Sequence, residues 1–233
     1  VNASFPNENL SQLKMQALHA RLKQQPGIKE VSFSSFAPTG EGGWATDLRL
    51  ITNTSKNADV VVNMKPADTS YFSVYNMQLA AGRIYFPSDT AREFIVNETL
   101  LRNVNLGIPE QVIGKRIVVD GHTAPIVGVV KDFHLHSLKD PIEPVVMTTT
   151  KRFYEMANIK IEPGKAKQVL AAMEDIWNKT FPNYVFEYNY IDQTIANYYK
   201  QENRLSQLYR IFACIAIFIS CLGLFGLINF MAV

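Results

Sequence analysis

The chain has 233 residues, 47% of them apolar, and a formal net charge of +2 at pH 7. That length suits one large domain or two small ones, and the apolar share supports a buried core. The near-balanced charge, with no run of Lys and Arg interleaved with aromatics, argues against nucleic acid as a partner.

The first residue is Val rather than Met and no signal-peptide pattern follows, so the chain is expected to be part of a longer protein. NENLSQLKMQALHARLKQQPG predicts a helix, with Asn7 as N-cap, Leu10, Leu13, Ala17 and Leu18 as its apolar stripe, and Pro26-Gly27 as its stop. IKEVSFSSF predicts a strand. The loop SSFAPTGEGGW has Gly40, Gly42 and Gly43 but no Lys followed by Ser or Thr, so it is not a phosphate-binding loop. ATDLRLI and ADVVVNMK predict strands, and Asp68 or Thr69 could cap a short helix running to Tyr75.

From Gly82 the texture changes. GRIYF, EFIVN, KRIVVDG and APIVGVVKDFHLH predict short strands broken by Gly, Pro and Asp-Gly, a small β-rich part. After Pro144 the α+β texture returns. VVMTTT and ANIKIE predict strands, and GKAKQVLAAMEDIWNKTFP a helix with Val169, Met173, Ile176 and Thr180 on one face. YVFEYNY predicts a strand with Tyr184, Phe186, Tyr188 and Tyr190 on one side.

The C-terminal run Ile211 to Val233 is uncharged. At 1.5 Å per residue it spans about 34 Å, enough to cross a bilayer core. Gly223 and Gly226 would admit a neighbouring helix closely. Cys214 and Cys221 both lie in this run, seven residues and about 10 Å apart on one helix, beyond disulfide reach. Ahead of it, Asp192 to Arg210 carries Ile195, Tyr198, Leu205 and Leu208 at helical spacing, with no Gly or Pro to separate it from the apolar run. One continuous helix of about 40 residues is expected, half outside the bilayer, stiff enough to carry displacement.

The segment GVVKDFHLHS raises the question of chemistry. On a strand, alternation would put Asp132, His134 and His136 on one face, and His-x-His there can bind zinc. No third ligand is nominated by the sequence, and no H-E-x-x-H, G-x-S-x-G or paired-Cys motif is present. The expectation is a structural segment, with no catalytic residue, metal or cofactor.

The stretches LAAGRIYF, EFIVNETLL, VIGKRIVVDG, IVGVVKDFHLHSLKDPIEPVV and LYRIFACIAIFISCLGLFGLINF closely resemble the MacB-like/FtsX-like family of ABC transporter permeases, in versions common in Bacteroidetes. The resemblance runs from about Leu10 to the end. It is strongest over Leu79 to Val146 and from Asp192 onward. It implies an α+β fold with a porter-like α/β subdomain (1–80 and 144–191) and an inserted, smaller, β-rich Sabre-like subdomain (81–143). A stalk helix (192–210) and a transmembrane helix (211–233) would follow. It makes Gly82, Arg83, Gly114, Gly128, Asp132 and Phe133 structural signature residues. Ile195, Tyr198, Leu205 and Leu208 become stalk residues that couple motion, and Gly223 and Gly226 pack the transmembrane helix. The resemblance further implies a domain facing the periplasm from the bacterial inner membrane, paired with a second permease copy or homologue. A separate cytoplasmic ABC ATPase would drive it, and a periplasmic adaptor, lipoprotein or peptide would be its partner or cargo. A membrane-anchored sensor domain of a signalling receptor and a membrane-tethered metal hydrolase are the rival readings. Arg204 and Arg210, just outside the apolar run on the proposed periplasmic side, lean against the positive-inside rule, which large translocated domains largely escape.

Overall fold

The computed structural model describes residues 1–5, 12–38, 44–51, 60–135 and 140–231. They divide into two compact units, Val1–Ile191 and Asp192–Val233.

A short strand missing from the sequence reading, β1 (Asn2–Ser4), opens the first unit. In α1 (Gln12–Lys23), Met15, Leu18 and Leu22 recur at three-to-four spacing and are buried. The expected N-cap Asn7 and the glycines at 40, 42 and 43 lie outside the described residues. β2 (Ile28–Ser34), β3 (Trp44–Leu50) and β4 (Val60–Pro66) form where strands are expected. At α2 (Tyr71–Val74), Asp68 rather than Thr69 makes the cap, its Oδ1 accepting from the Tyr71 backbone N–H at 3.1 Å. Then come β5 (Leu79–Gly82), β6 (Phe94–Asn97), α3 (Glu98–Asn103), α4 (Pro109–Val112), β7 (Arg116–Val119) and β8 (His122–Val130). The unit ends with β9 (Val145–Thr148), β10 (Met156–Ile161), α5 (Ala166–Thr180) and β11 (Tyr188–Asn189).

Among the described residues the strands make two sheets. The first is antiparallel, in the order β11-β1-β10-β2, and joins the two ends of the unit. β2 alternates. Val31 and Phe33 face a core with α1 and α5, where Val169, Met173, Ile176 and Trp177 are buried. Ser32 and Ser34 face the other way, into a polar seam against α2. There the Tyr75 hydroxyl lies 2.8 Å from Asn158 Oδ1, and Asn158 Nδ2 donates to Ser34 Oγ at 2.8 Å.

The second sheet is mixed, in the order β5-β8-β6-β9-β4-β3-β7. Because β7 also pairs with β8, six of its strands close into a ring. Leu48, Val62, Met64, Phe94, Val96, Ile117, Ile126 and Val146 fill the inside, with Leu100, Leu101 and Val112 of α3 and α4 joining that core. A third core covers the outside of β5, β6, β8 and β9 with Tyr71, Phe72 and Tyr85. β3, β4 and β9, taken from the sequence as part of the flanking α/β texture, thus pair inside this β-rich sheet.

Three expected strands differ. GRIYF stops pairing at Gly82, whose φ of +77° turns the chain out of the ladder. β8 ends at Val130, so the alternation through Asp132 and His134 does not continue on a strand. YVFEYNY is strand only at Tyr188–Asn189, although Phe186 and Tyr188 do stack, with ring centroids 5.6 Å apart.

The second unit is carried by α6 (Ile191–Met231), 41 residues without a break. Its stretch Leu205–Leu224 has a mean hydropathy of 1.8 and no buried residue, long and apolar enough to cross a membrane.

Candidate functional site

The signature residues assemble around the end of β8. Gly82 and Gly128 face each other across the β5–β8 pair. A Cβ on Gly128 would sit 2.3 Å from the Arg83 carbonyl oxygen, and one on Gly82 would sit 2.3 Å from the Val127 carbonyl oxygen. The strands meet at a distance that no side chain permits. Gly114 is different: nothing lies within 4 Å of its would-be Cβ, and its φ of +85° alone asks for glycine.

Arg83 reaches out of this contact to Glu93, donating from both terminal nitrogens, and its guanidinium lies 4.1 Å from the centre of the Phe86 ring. Glu93 also accepts from the Phe86 backbone N–H at 2.8 Å. The hydrogen bonds from Arg83 hold the Glu93 carboxyl below the usual range. The pair staples the irregular segment that replaces the expected strand.

Asp132 closes the other side. Its Oδ1 accepts from the Thr99 backbone N–H at 2.9 Å, and its Oδ2 accepts from the Thr99 hydroxyl at 3.0 Å and from Arg102. It therefore caps the first turn of α3 from outside the helix. Asn97, fully buried, caps the same turn from within, accepting from Leu100 N–H at 3.1 Å. The Asp132 N–H in turn donates to Glu98 Oε2 at 3.3 Å. Phe133 is half-buried against the third core. Asp132→Ala is expected to cost about 2 kcal/mol, a cap plus part-buried hydrogen bonds to a charged group. Asp132→Asn, which keeps one acceptor, should cost less. Urea unfolding of the two variants checks the order, and a loss below about 0.5 kcal/mol for Ala would mean that Asp132 does not hold α3.

Asp132 is spent on α3, and the Nδ1 of His134 is buried with no hydrogen-bond partner among the described residues. His136 lies outside the described residues. Among the described residues no three of His, Cys, Asp and Glu are grouped as a metal site.

The helix residues sit as follows. Ile195, Leu205 and Leu208 are exposed on α6, and nothing lies within 4 Å of a Cβ on Gly223. The side chain of Tyr198 lies outside the description, and Gly226 is part of the helix.

One buried charge escaped the sequence reading. Lys65, 2% exposed, donates from Nζ to the carbonyls of Ala37 and Pro38 at 2.9 and 3.2 Å. Its position on β4, alternating with Val62 and Met64, was the available signal: an outward residue on a strand under a loop. Burial pulls its ammonium down to about 8, against the attraction of Glu143. The folded value lies below the unfolded one, near 10.4. At pH 7 both states hold the proton and the buried charge weighs against folding. As pH rises from about 8 to 10, the folded state sheds its proton first and gains stability. Two N–H groups remain for the two carbonyls. Buried Tyr71 and Tyr85, whose hydroxyls are pushed well above the usual value, oppose this trend in the whole protein. The comparison must therefore be with Lys65→Met. Relative to that variant, the unfolding midpoint of the parent is expected to climb between about pH 7 and 10. A flat difference would mean that Lys65 is hydrated.

The family described as the MacB-like periplasmic core domain matches residues 2–176. No curated protein matches the chain. Among solved structures, the periplasmic region of MacB from Actinobacillus actinomycetemcomitans is similar, with a TM-score of 0.60 and 16% identity over 84% of this chain and 92% of that one. The extracellular domain of the noncanonic ABC-type transporter YknZ from Gram-positive bacteria gives a TM-score of 0.52 and 15% identity over 78% of this chain and 93% of that one. At such identities the likeness is one of fold. The family match takes in the whole β5–β8 contact, the Asp132 cap on α3 and most of α5. By that match, the chain belongs to the MacB-like periplasmic core domain family.

Proposed function

We propose that this chain is the extracytoplasmic domain, stalk and one membrane helix of an ABC transporter permease, and that it passes ATP-driven movement of membrane helices to the periplasm. The observation that supports this most is α6, a single unbroken helix in which the polar stretch from Asp192 runs directly into the apolar one. A stiff helix transmits displacement where a flexible linker would absorb it. In this reading residues 192–210 are the stalk, and Ile195, Tyr198, Leu205 and Leu208 face a neighbouring stalk. Residues from 211 onward lie in the bacterial inner membrane, with Gly223 and Gly226 as the close-packing positions. The exposure of Ile195, Leu205 and Leu208 suits a surface that meets a partner helix.

The same proposal divides the first unit into a porter-like part (1–80 and 144–191) and a Sabre-like insertion (81–143) whose sheet borrows strands from its neighbours. A second permease copy or homologue completes the assembly, and a separate cytoplasmic ATPase hydrolyses ATP. The chain itself performs no catalysis. The output is export, release of a lipoprotein or peptide, or control of a periplasmic adaptor. The signature residues serve as struts in this scheme, since Gly82, Arg83, Gly114, Gly128, Asp132 and Phe133 hold the sheet that the stalk must move as one body.

The test is the gene beyond Val233 together with its neighbours. Further apolar spans and an adjacent ATPase gene whose product co-purifies with the full-length protein are expected. A single span followed by a kinase-like or receptor module would overturn the reading in favour of a sensor.

A further inference from the structure

A cavity of about 260 Å3 opens between α1, β2 and the two segments that follow β4 and β9. At about 30 Å3 per molecule it has room for roughly nine waters, so its occupant is small. Met15, Phe33 and the ring of Tyr154 make its apolar walls.

Asp68 forms part of the lining and is held rigidly. Its Oδ1 accepts from Ser32 Oγ at 2.7 Å and from Tyr71 N–H at 3.1 Å, and its Oδ2 accepts from Phe33 N–H at 2.7 Å. A carboxylate has about four acceptor positions, so one on Oδ2 is left for a donor from the cavity. Burial raises the Asp68 pKa, with the hydrogen bonds and nearby His19 opposing. Burial thus disfavours the charged carboxylate, and a cation seated beside it would favour it. Lys151 also lines the cavity, but its ammonium is paired with Asp89 at 2.5 Å. The imidazole of His19 stands edge-on to Phe33, with ring centroids 5.5 Å apart. Neither it nor the Tyr154 hydroxyl makes a hydrogen bond to a described residue.

We propose that this cavity binds a small organic ammonium ion: a primary amine on an aromatic or aliphatic body. Its N–H groups donate to Asp68 Oδ2 and to His19 or Tyr154, and its body lies against Met15 and Phe33. A carboxylate in a pocket with mainly apolar walls favours a cation through charge. An anion would face Asp68 without a counter-charge. A purely apolar guest would leave the fourth acceptor position of Asp68 unmet and give His19 and Tyr154 nothing to bond. No ATPase is needed for binding, so the inference stands apart from the transport reading.

The test uses the full chain in detergent, with 2-phenylethylamine, 2-phenylethanol and 3-phenylpropionate as probes and ligand-observed NMR as readout. The amine is expected to bind at least about tenfold tighter than the alcohol, and the carboxylate not at all. Asp68 also anchors β2 and α2, so exposed Gln16, at the cavity rim, carries the mutational arm. Gln16→Lys should weaken the amine about threefold and Gln16→Glu should strengthen it about threefold. Equal affinity for amine and alcohol, preference for the carboxylate, the opposite order of the Gln16 variants, or no amine binding at millimolar concentration would each overturn the proposal.

Discussion

Gly128→Ala is expected to cost about 3 kcal/mol or more, a large share of the 5–15 kcal/mol that holds a domain together. The added methyl would lie 2.3 Å from the Arg83 carbonyl oxygen and 3.3 Å from Ile95 Cγ1. The first of these is backbone and cannot rotate away. β8 cannot retreat either, because β6 pairs with it on its other side and β7 with its first half. Relief would require β5 to peel off, taking the Arg83–Glu93 staple with it. Gly114→Ala is the control. It meets no neighbour and is strained only by φ, so about 1 kcal/mol is expected. Urea unfolding of both variants measures the gap. If the two losses were equal, the close approach of β5 and β8 would not be what the glycine serves.

Inserting Gly-Gly after Leu205 is expected to leave ATP hydrolysis by the assembled permease measurable while its periplasmic output falls to background. From Ile191 to Leu222 the helix has neither Gly nor Pro. Each inserted Gly costs about 1 kcal/mol relative to Ala in a helix, so the insertion makes a joint. It also rotates everything beyond it by about 200°. Insertion of four alanines separates the two effects, because it keeps the helix stiff and nearly restores register, at about 400°. Output should survive in that variant. Normal output from the Gly-Gly protein would sink the transmission role and leave α6 a plain anchor.

Much of this was legible beforehand because it rests on local pattern. The stripe of Val169, Met173 and Ile176 located the buried face of α5, and the unbroken run from Asp192 located α6. What escaped rests on long-range partners. β1 is three residues long, and nothing in Asn-Ala-Ser announces a strand. It exists because β10 and β11 flank it. GRIYF has the composition of a strand throughout, yet a positive φ at Gly82 and the carboxylate of Glu93 take it out of the ladder. Asp132 was placed on one face with His134 and His136 because alternation was carried past Val130. Its partner, the first turn of α3, is 33 residues away in sequence. The spacing of Asp132 from its histidines was visible, but its destination was not.

The first sheet is made of the two ends of the unit, and this sets the order in which a growing chain can acquire structure. The seven-stranded sheet has all its strands once residue 148 has emerged. β2 must wait for β10, and β1 for β11 as well, and the core of Leu18, Leu22, Val31 and Phe33 waits for α5, so it stays incomplete while about 140 more residues are made. At 5–20 residues per second that is roughly 7–28 seconds. The growing unit therefore closes its middle sheet before the sheet made of its two ends can form.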